Sequence, residues 1–231
     1  MTRLGFGFAI GLALAACTGD IDPAWQLDHD RVITVRSTPP RIAPGETAVL
    51  ETLLGHKGAP PSTGEPDTAE VVSPSGLDRA LRHGATGWTV TAPPDDQLAP
   101  ARAELGLDAT APVPLRVKLT FPEPAGVAYK VVWLGVHADN PVLDPITIDG
   151  MDALAETQLS VAAATDIPVA VDFDTSYNIN WLTSCGTMHD FDLATAYLRV
   201  EPADPQDGTF AIVVRDAQGG VAWHLWPITA Q

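Results

Sequence analysis

Cys185 lies in the densest polar stretch of the chain, Ser184-Cys185-Gly186-Thr187-Met188-His189-Asp190-Phe191-Asp192. A thiol nucleophile needs a base within hydrogen-bond reach and donors aimed at the developing oxyanion. His189 is near enough in sequence to make Cys185/His189 a candidate thiol-enzyme pair. At a strand end running into a loop, however, the two side chains need not converge. No helix N-terminus or basic cluster lies nearby to lower the thiol pKa. The favoured reading is a buried, inert Cys185, and no catalytic residue is assigned.

The carboxylates are the second candidate chemistry. Asp172, Asp174, Asp190 and Asp192 could meet if their two loops share one end of a sandwich, and hard oxygen ligands suit calcium. Their spacing follows no tight ligand motif, and Asp populates turns for backbone reasons. They stand as weak calcium candidates, with no metal or cofactor expected. Trp223 and Trp226 fall on opposite faces of the last strand. One should be core, while the other is either covered by the preceding part of the chain or exposed to stack on a sugar or protein partner; Trp226 is carried as the possible interaction residue. The chain has no Gly-x-Ser-x-Gly, His-Glu-x-x-His, phosphate-binding Walker loop or Gly-x-Gly-x-x-Gly. Absent motifs exclude no enzyme but leave none to propose, and the expectation is a non-enzymatic chain.

Cys17 has a different setting. Met1-Thr2-Arg3 supplies one positive charge, and Gly5 to Ala16 is a 12-residue run of apolar and small residues, too short for the ~20 that span a bilayer. It ends in Leu14-Ala15-Ala16-Cys17. This run resembles the lipobox of bacterial lipoproteins, which implies a signal peptide over residues 1–16, cleavage before Cys17, and diacylglyceryl and further acyl (palmitate-type) chains on that cysteine. Two or three chains anchor firmly where one holds marginally. Thr18 stands where an inner-membrane retention Asp would be, so the resemblance implies outer-membrane sorting; which side the body faces stays open.

The 231 residues include 13 Lys+Arg and 29 Asp+Glu. Loss of residues 1–16 removes Arg3, leaving 12 against 29, a net charge of −17, on 215 residues. Such a surface repels nucleic acid and anionic headgroups, so the expected membrane contact runs through the lipid alone. With Cys17 acylated, only Cys185 remains and no intrachain disulfide can form. Hydrophobic content of 45% supports a packed core, and 21 Pro with 19 Gly favours strands and turns over long helices.

Residues 17–30 read as an acidic tether, with Asp20, Asp22, Asp28 and Asp30. Strand signals follow at 32–35 and 47–54, separated by Pro39-Pro40 and Pro44-Gly45-Glu46. Residues 55–76 read as a long polar loop, 77–83 as one or two helical turns, 87–91 as a strand, and 97–107 as a weak helix interrupted by Pro100. Leu115, Val117, Leu119 and Phe121 alternate with polar neighbours as in a half-buried strand, and 128–136 completes a hairpin. After a hinge at 138–141, seven strands fall within residues 145–231: 146–148, 157–161, 169–173, 177–183, 194–200, 209–215 and 221–228. Ile179 and Trp181 share a face, as a core pin would. Asp216 to Gly220 carries the residues a tight hairpin turn needs.

The stretch RVITVRSTPPRIAPGETAVLETLL resembles the opening of bacterial immunoglobulin-like domains. VDFDTSYNINWLTSCG, ATAYLRV and GTFAIVVRDAQGGVAW resemble the PKD-like and immunoglobulin-like repeats of bacterial surface proteins. The expected fold is all-β, two immunoglobulin-like antiparallel β-sandwiches in tandem, over residues 31–137 and 145–231. The expected role is a structural or protein-interaction module of the cell envelope, with an envelope protein or glycan as partner. A carbohydrate- or peptidoglycan-binding module is the alternative, and a thiol enzyme using Cys185/His189 a third.

Overall fold

A computed structural model describes residues 22–143, 145–172 and 176–231; Cys17 and Asp174 lie outside the described residues. The first strands are β1 (Arg31–Thr38), β2 (Arg41–Ile42), β3 (Thr47–His56), β4 (Ala59–Gly64) and β5 (Thr68–Ser73). They are followed by β6 (Leu81–Gly84), β7 (Gly87–Thr91), β8 (Val113–Pro122) and β9 (Ala125–Leu134). One sheet runs β1-β3-β7-β6 with β4 added to β3, and the other runs β2-β9-β8-β5. β2 lies parallel to β9 while the long hairpin β8–β9 is antiparallel. The change of sheet between β1 and β2 falls at Pro39-Pro40, where missing N–H groups end one ladder. Gly45, at φ 84°, then turns the chain into β3, and the Glu46 carboxylate accepts the Ala43 N–H at 2.8 Å.

The second series is β10 (Ile146–Ile148), β11 (Met151–Asp152), β12 (Leu159–Val161), β13 (Asp166–Val171) and β14 (Asn178–Thr183). It ends with β15 (Thr187–His189), β16 (Thr195–Arg199), β17 (Asp207–Arg215) and β18 (Val221–Ala230). Its sheets are β11-β10-β13-β16-β15 and β12-β18-β17-β14, again with the early strand β12 parallel to the last. Both halves thus repeat one order. The first, second, fifth and fourth main strands form one sheet, and the third, sixth and seventh form the other. That is the immunoglobulin arrangement, and the chain is an all-β protein of two such sandwiches.

The expected alternation in β8 is the core face of the first sandwich: Leu115, Val117, Leu119 and Phe121 are all buried. In the second, Trp181 is fully buried and stacks on Phe210 with ring centroids 5.7 Å apart, its Nε1 donating to the Leu193 carbonyl at 2.9 Å. Three local expectations need correction. The 55–76 stretch is not a loop but contains β4 and β5, largely exposed edge strands. Edge pairing runs through backbone groups and needs no apolar alternation, so the hydropathy pattern was silent. Of the helical turns expected at 77–83, only Asp78–Ala80 form a 3₁₀ turn; Leu81 already pairs with Val90 in β6–β7. Pro100 does not interrupt α1 (Asp95–Leu105). It sits on the exposed side of the helix, as does Asp96, whose carbonyl it leaves without an intrahelical donor.

The two sandwiches are packed side against side. In β17, Phe210, Ile212 and Val214 enter the core of the second sandwich. Ala211 and Val213 point the opposite way, into a further cluster with Leu27, Leu53, Leu182 and Val221. Leu53 comes from β3 of the first sandwich, so this cluster is a core shared across the seam. Polar contacts reinforce it. The Asn140 side chain accepts the Val221 N–H at 2.8 Å and donates to the Ser37 carbonyl at 2.9 Å, so the expected hinge pins both halves. The Arg36 guanidinium lies 3.9 Å above the Trp223 ring. The end of the expected tether is docked too: Leu27 is buried, its N–H donates to the Thr183 carbonyl at 2.8 Å, and the Thr183 N–H donates to Trp25 at 3.0 Å.

Leu53→Ala empties a fully buried position of this shared core and should cost about 2–4 kcal/mol in urea unfolding. A loss under about 1 kcal/mol would show that the seam does not hold the fold together.

Candidate functional site

Cys185 follows β14 and is positioned by a local ring of bonds. Its N–H donates to Thr183 Oγ1 at 3.1 Å, and that hydroxyl donates to the Cys185 carbonyl at 2.6 Å. Gly186, at φ 72°, then brings the backbone against the Arg199 carbonyl so closely that a Cβ would clash. The thiol is buried in the second core. Burial pushes its pKa up, the fields of Asp204 and Asp207 add to this, and only the Thr183 hydroxyl opposes it. In β15, Met188 points into the core, so by strand alternation His189 faces outward, where its ring stacks on Tyr197 at 4.4 Å. The fold therefore places Cys185 and His189 on opposite sides of a sheet.

The described carboxylates, Asp172, Asp190 and Asp192, do not gather as a set either. Asp172, Asp190 and Asp192 are exposed, and among the described residues no three His, Cys, Asp or Glu side chains gather as a metal site. Asp190 instead takes a left-handed turn conformation at φ 55°, one that Asp tolerates better than most residues. Trp226 corrects the interaction assignment. It is fully buried beside Phe210, and its Nε1 donates to the Leu154 carbonyl at 2.8 Å. Pairing with Phe210 in β17–β18 turns position 226 inward, so the tryptophan at the seam is Trp223.

The features that sequence reasoning missed lie along that seam. Arg31, Arg36, Lys130 and Arg215 gather there in a strongly acidic protein. Lys130 occupies the inward register of β9, in line with Ala128, Val132 and Leu134, and that placement was the available signal. Its ammonium crosses to the β17–β18 turn and donates to the Gly219 carbonyl at 2.5 Å. Gly219 sits so close that an added Cβ would lie 3.3 Å from the Val131 carbonyl and 3.4 Å from Trp133 Nε1. Burial pushes the Lys130 pKa down to about 8, Asp216 opposing and Arg215 and Arg36 assisting. Two crevices open on the seam: one of about 370 Å³ beside Lys130 and Arg215, and one of about 150 Å³ beside Arg31 and Arg215. A wider groove of about 670 Å³ at the end of the first sandwich, near Leu77, Pro93 and Gln97, holds only Asp78 and Arg79 as charged groups.

A further surface feature is the outer face of β5, β8 and β9. Cross-strand register sets Tyr129 beside Lys118 and Glu70, Val127 beside Thr120 and Thr68, and Val131 beside Arg116. Tyr129 is 62% exposed, Val127 51% and Val72 44%.

No family model matches the chain, and no curated protein matches it. Solved structures resemble it at low identity. A nucleoside hydrolase-related protein from Saccharophagus degradans is 16% identical over 41% of this chain, with a TM-score of 0.32; the match spans 26% of that longer chain. The tandem Ig repeats of Dlar are 9% identical over 86% of this chain and 97% of theirs, at 0.31. The tandem V-type regions of VCBP3, a v-region-containing chitin binding protein, are 12% identical over 85% and 98%, at 0.31. Likeness at this level assigns no activity.

Two outcomes follow from these geometries. A small thiol reagent should leave Cys185 unmodified in the native protein near neutral pH and react once urea unfolds it; rapid, pH-dependent native labelling would restore the thiol-enzyme reading. For Lys130, the unfolded chain binds the proton up to about pH 10.4 and the folded chain only to about 8. Stability from this group thus rises with pH across that window. Urea melts at pH 7.5, 9 and 10 should show wild type gaining on Lys130→Met as pH rises; a constant difference would mean that Lys130 titrates normally.

Proposed function

We propose that the chain is a lipid-anchored lipoprotein of the bacterial cell envelope, acting as a non-enzymatic structural or protein-interaction module. The sequence Leu14-Ala15-Ala16-Cys17 supports the anchor, with acyl chains on Cys17 after removal of residues 1–16. Thr18 supports sorting to the outer membrane. No helix among the described residues is long and apolar enough to cross a membrane, so in this reading the lipid supplies the attachment.

The observation that carries the interaction role is the outer face of β5, β8 and β9. It sets exposed Tyr129, Val127 and Val72 among Lys118, Arg116 and Glu70, an apolar centre with a polar surround of the kind protein interfaces use. The face belongs to a body stiffened by the shared seam, so it would be presented without rearrangement. An envelope protein is the favoured partner. The glycan reading called for one of Trp223 and Trp226 to be exposed; Trp226 is core, and Trp223 is partly buried beneath Arg36 at the seam.

The anchor is tested by Cys17→Ala. Wild type should incorporate labelled palmitate and sediment with membranes, and the variant should do neither. A variant that still sediments with membranes would overturn the assignment.

A further inference from the structure

The seam also holds positive charge for which, among the described residues, no carboxylate stands within ion-pairing distance, Asp22 acting on Arg31 only from farther off. Arg31 donates from Nη2 to the carbonyls of Ala24, at 3.0 Å, and Gln26, at 2.6 Å, while its Nε is buried with no hydrogen-bond partner. Arg215 donates from Nη1 to Asn180 Oδ1 at 2.6 Å and from Nη2 to the Ile33 carbonyl at 3.2 Å. Among the described residues, the arginines in ion pairs are Arg36, Arg102 and Arg199; neither Arg31 nor Arg215 has one. Both guanidinium groups line the same cavity of about 150 Å³, walled also by Ala24, Ile33, Asn180 and Phe191.

A guanidinium cannot shed its proton to escape burial. Partly buried cations are held more favourably beside a counter-charge, yet among the described residues of a chain with a large acidic excess none lies within pairing distance of these two. We propose that this cavity binds a small oxyanion, a single carboxylate or phosphate group, between Arg31 and Arg215. The two planar donor forks suit such a group. The space equals about five waters by liquid volume, enough for one oxyanion and its residual hydration. The cavity walls come from the N-terminal segment, β1, β14 and β17, so the ion would tie the segment before β1 to both sandwiches. It would bind only the folded seam and raise stability by mass action.

The test uses the mature lipidated protein in neutral detergent. Phosphate, sulfate and acetate are each added against chloride at matched ionic strength, and the thermal midpoint is read. At least one oxyanion should raise the midpoint by about 2–4 °C when well above its Kd. Arg31→Gln should weaken binding about tenfold or more while keeping the bonds of Arg215; Arg215→Gln should do the same if it folds. No rise over chloride in wild type, or an equal rise in Arg31→Gln, would overturn the site. Nanodiscs of phosphatidylglycerol against phosphatidylcholine, without added oxyanion, separate the sources. A rise with phosphatidylglycerol assigns the group to a lipid headgroup, and a rise with soluble ions alone assigns it to solution; either supports the site. No rise in any arm refutes it.

Discussion

Phe210-Ala211-Ile212-Val213-Val214 in β17 has no face fit for water. A strand of that composition must lie between two apolar layers. One layer is its own sandwich, and the other must be supplied by something else in the molecule. Leu53 and Ile33 of the first sandwich supply it, together with Leu27 from the segment before β1. Much else follows from this burial. It sets the sandwiches side against side, turns Trp223 beneath Arg36, and brings the Asp216–Gly220 turn to the edge of β9.

Polar groups at this seam are then forced into defined roles. Asn140 satisfies backbone groups on both sides at once. Lys130 reaches from an inward register of β9 to a carbonyl of the other sandwich, and burial penalises its charge. Buried polar contacts of this kind add little net energy when satisfied but cost heavily when displaced, so they select one packing of the two bodies over its alternatives.

Much of the fold was legible in the sequence because its long strands carry their own periodicity. The 115–121 alternation, the Ile179/Trp181 face and the 216–220 turn all point to positions that the structure fills accordingly. What was illegible lacked such a signal. β4 and β5 are edge strands held by backbone pairing, and β11 and β15 are two and three residues long inside turn-rich sequence. The candidate site was less legible still. Proximity in sequence suggested Cys185 with His189, but the bend before β15 turns Cys185 into the core while His189, next to inward-facing Met188, faces out. Arg31 and Arg215 are separated by most of the chain, and only tertiary packing brings them to one cavity. Trp226 was misjudged because a tryptophan near a chain's end looks the same in sequence whether it faces in or out.

The docking of Trp25 and Leu27 onto β14 has a mechanical meaning. Acidic residues at 20, 22, 28 and 30 suggest a loose string on which a body could tumble freely. With residues 25 and 27 stitched to the body, position 17 lies six residues before Pro23 and so at most about 22 Å from it. Anything held at position 17 would therefore keep the double sandwich close to its support, like a leaf on a short stalk, and would take hold of it from the edge that carries Pro23.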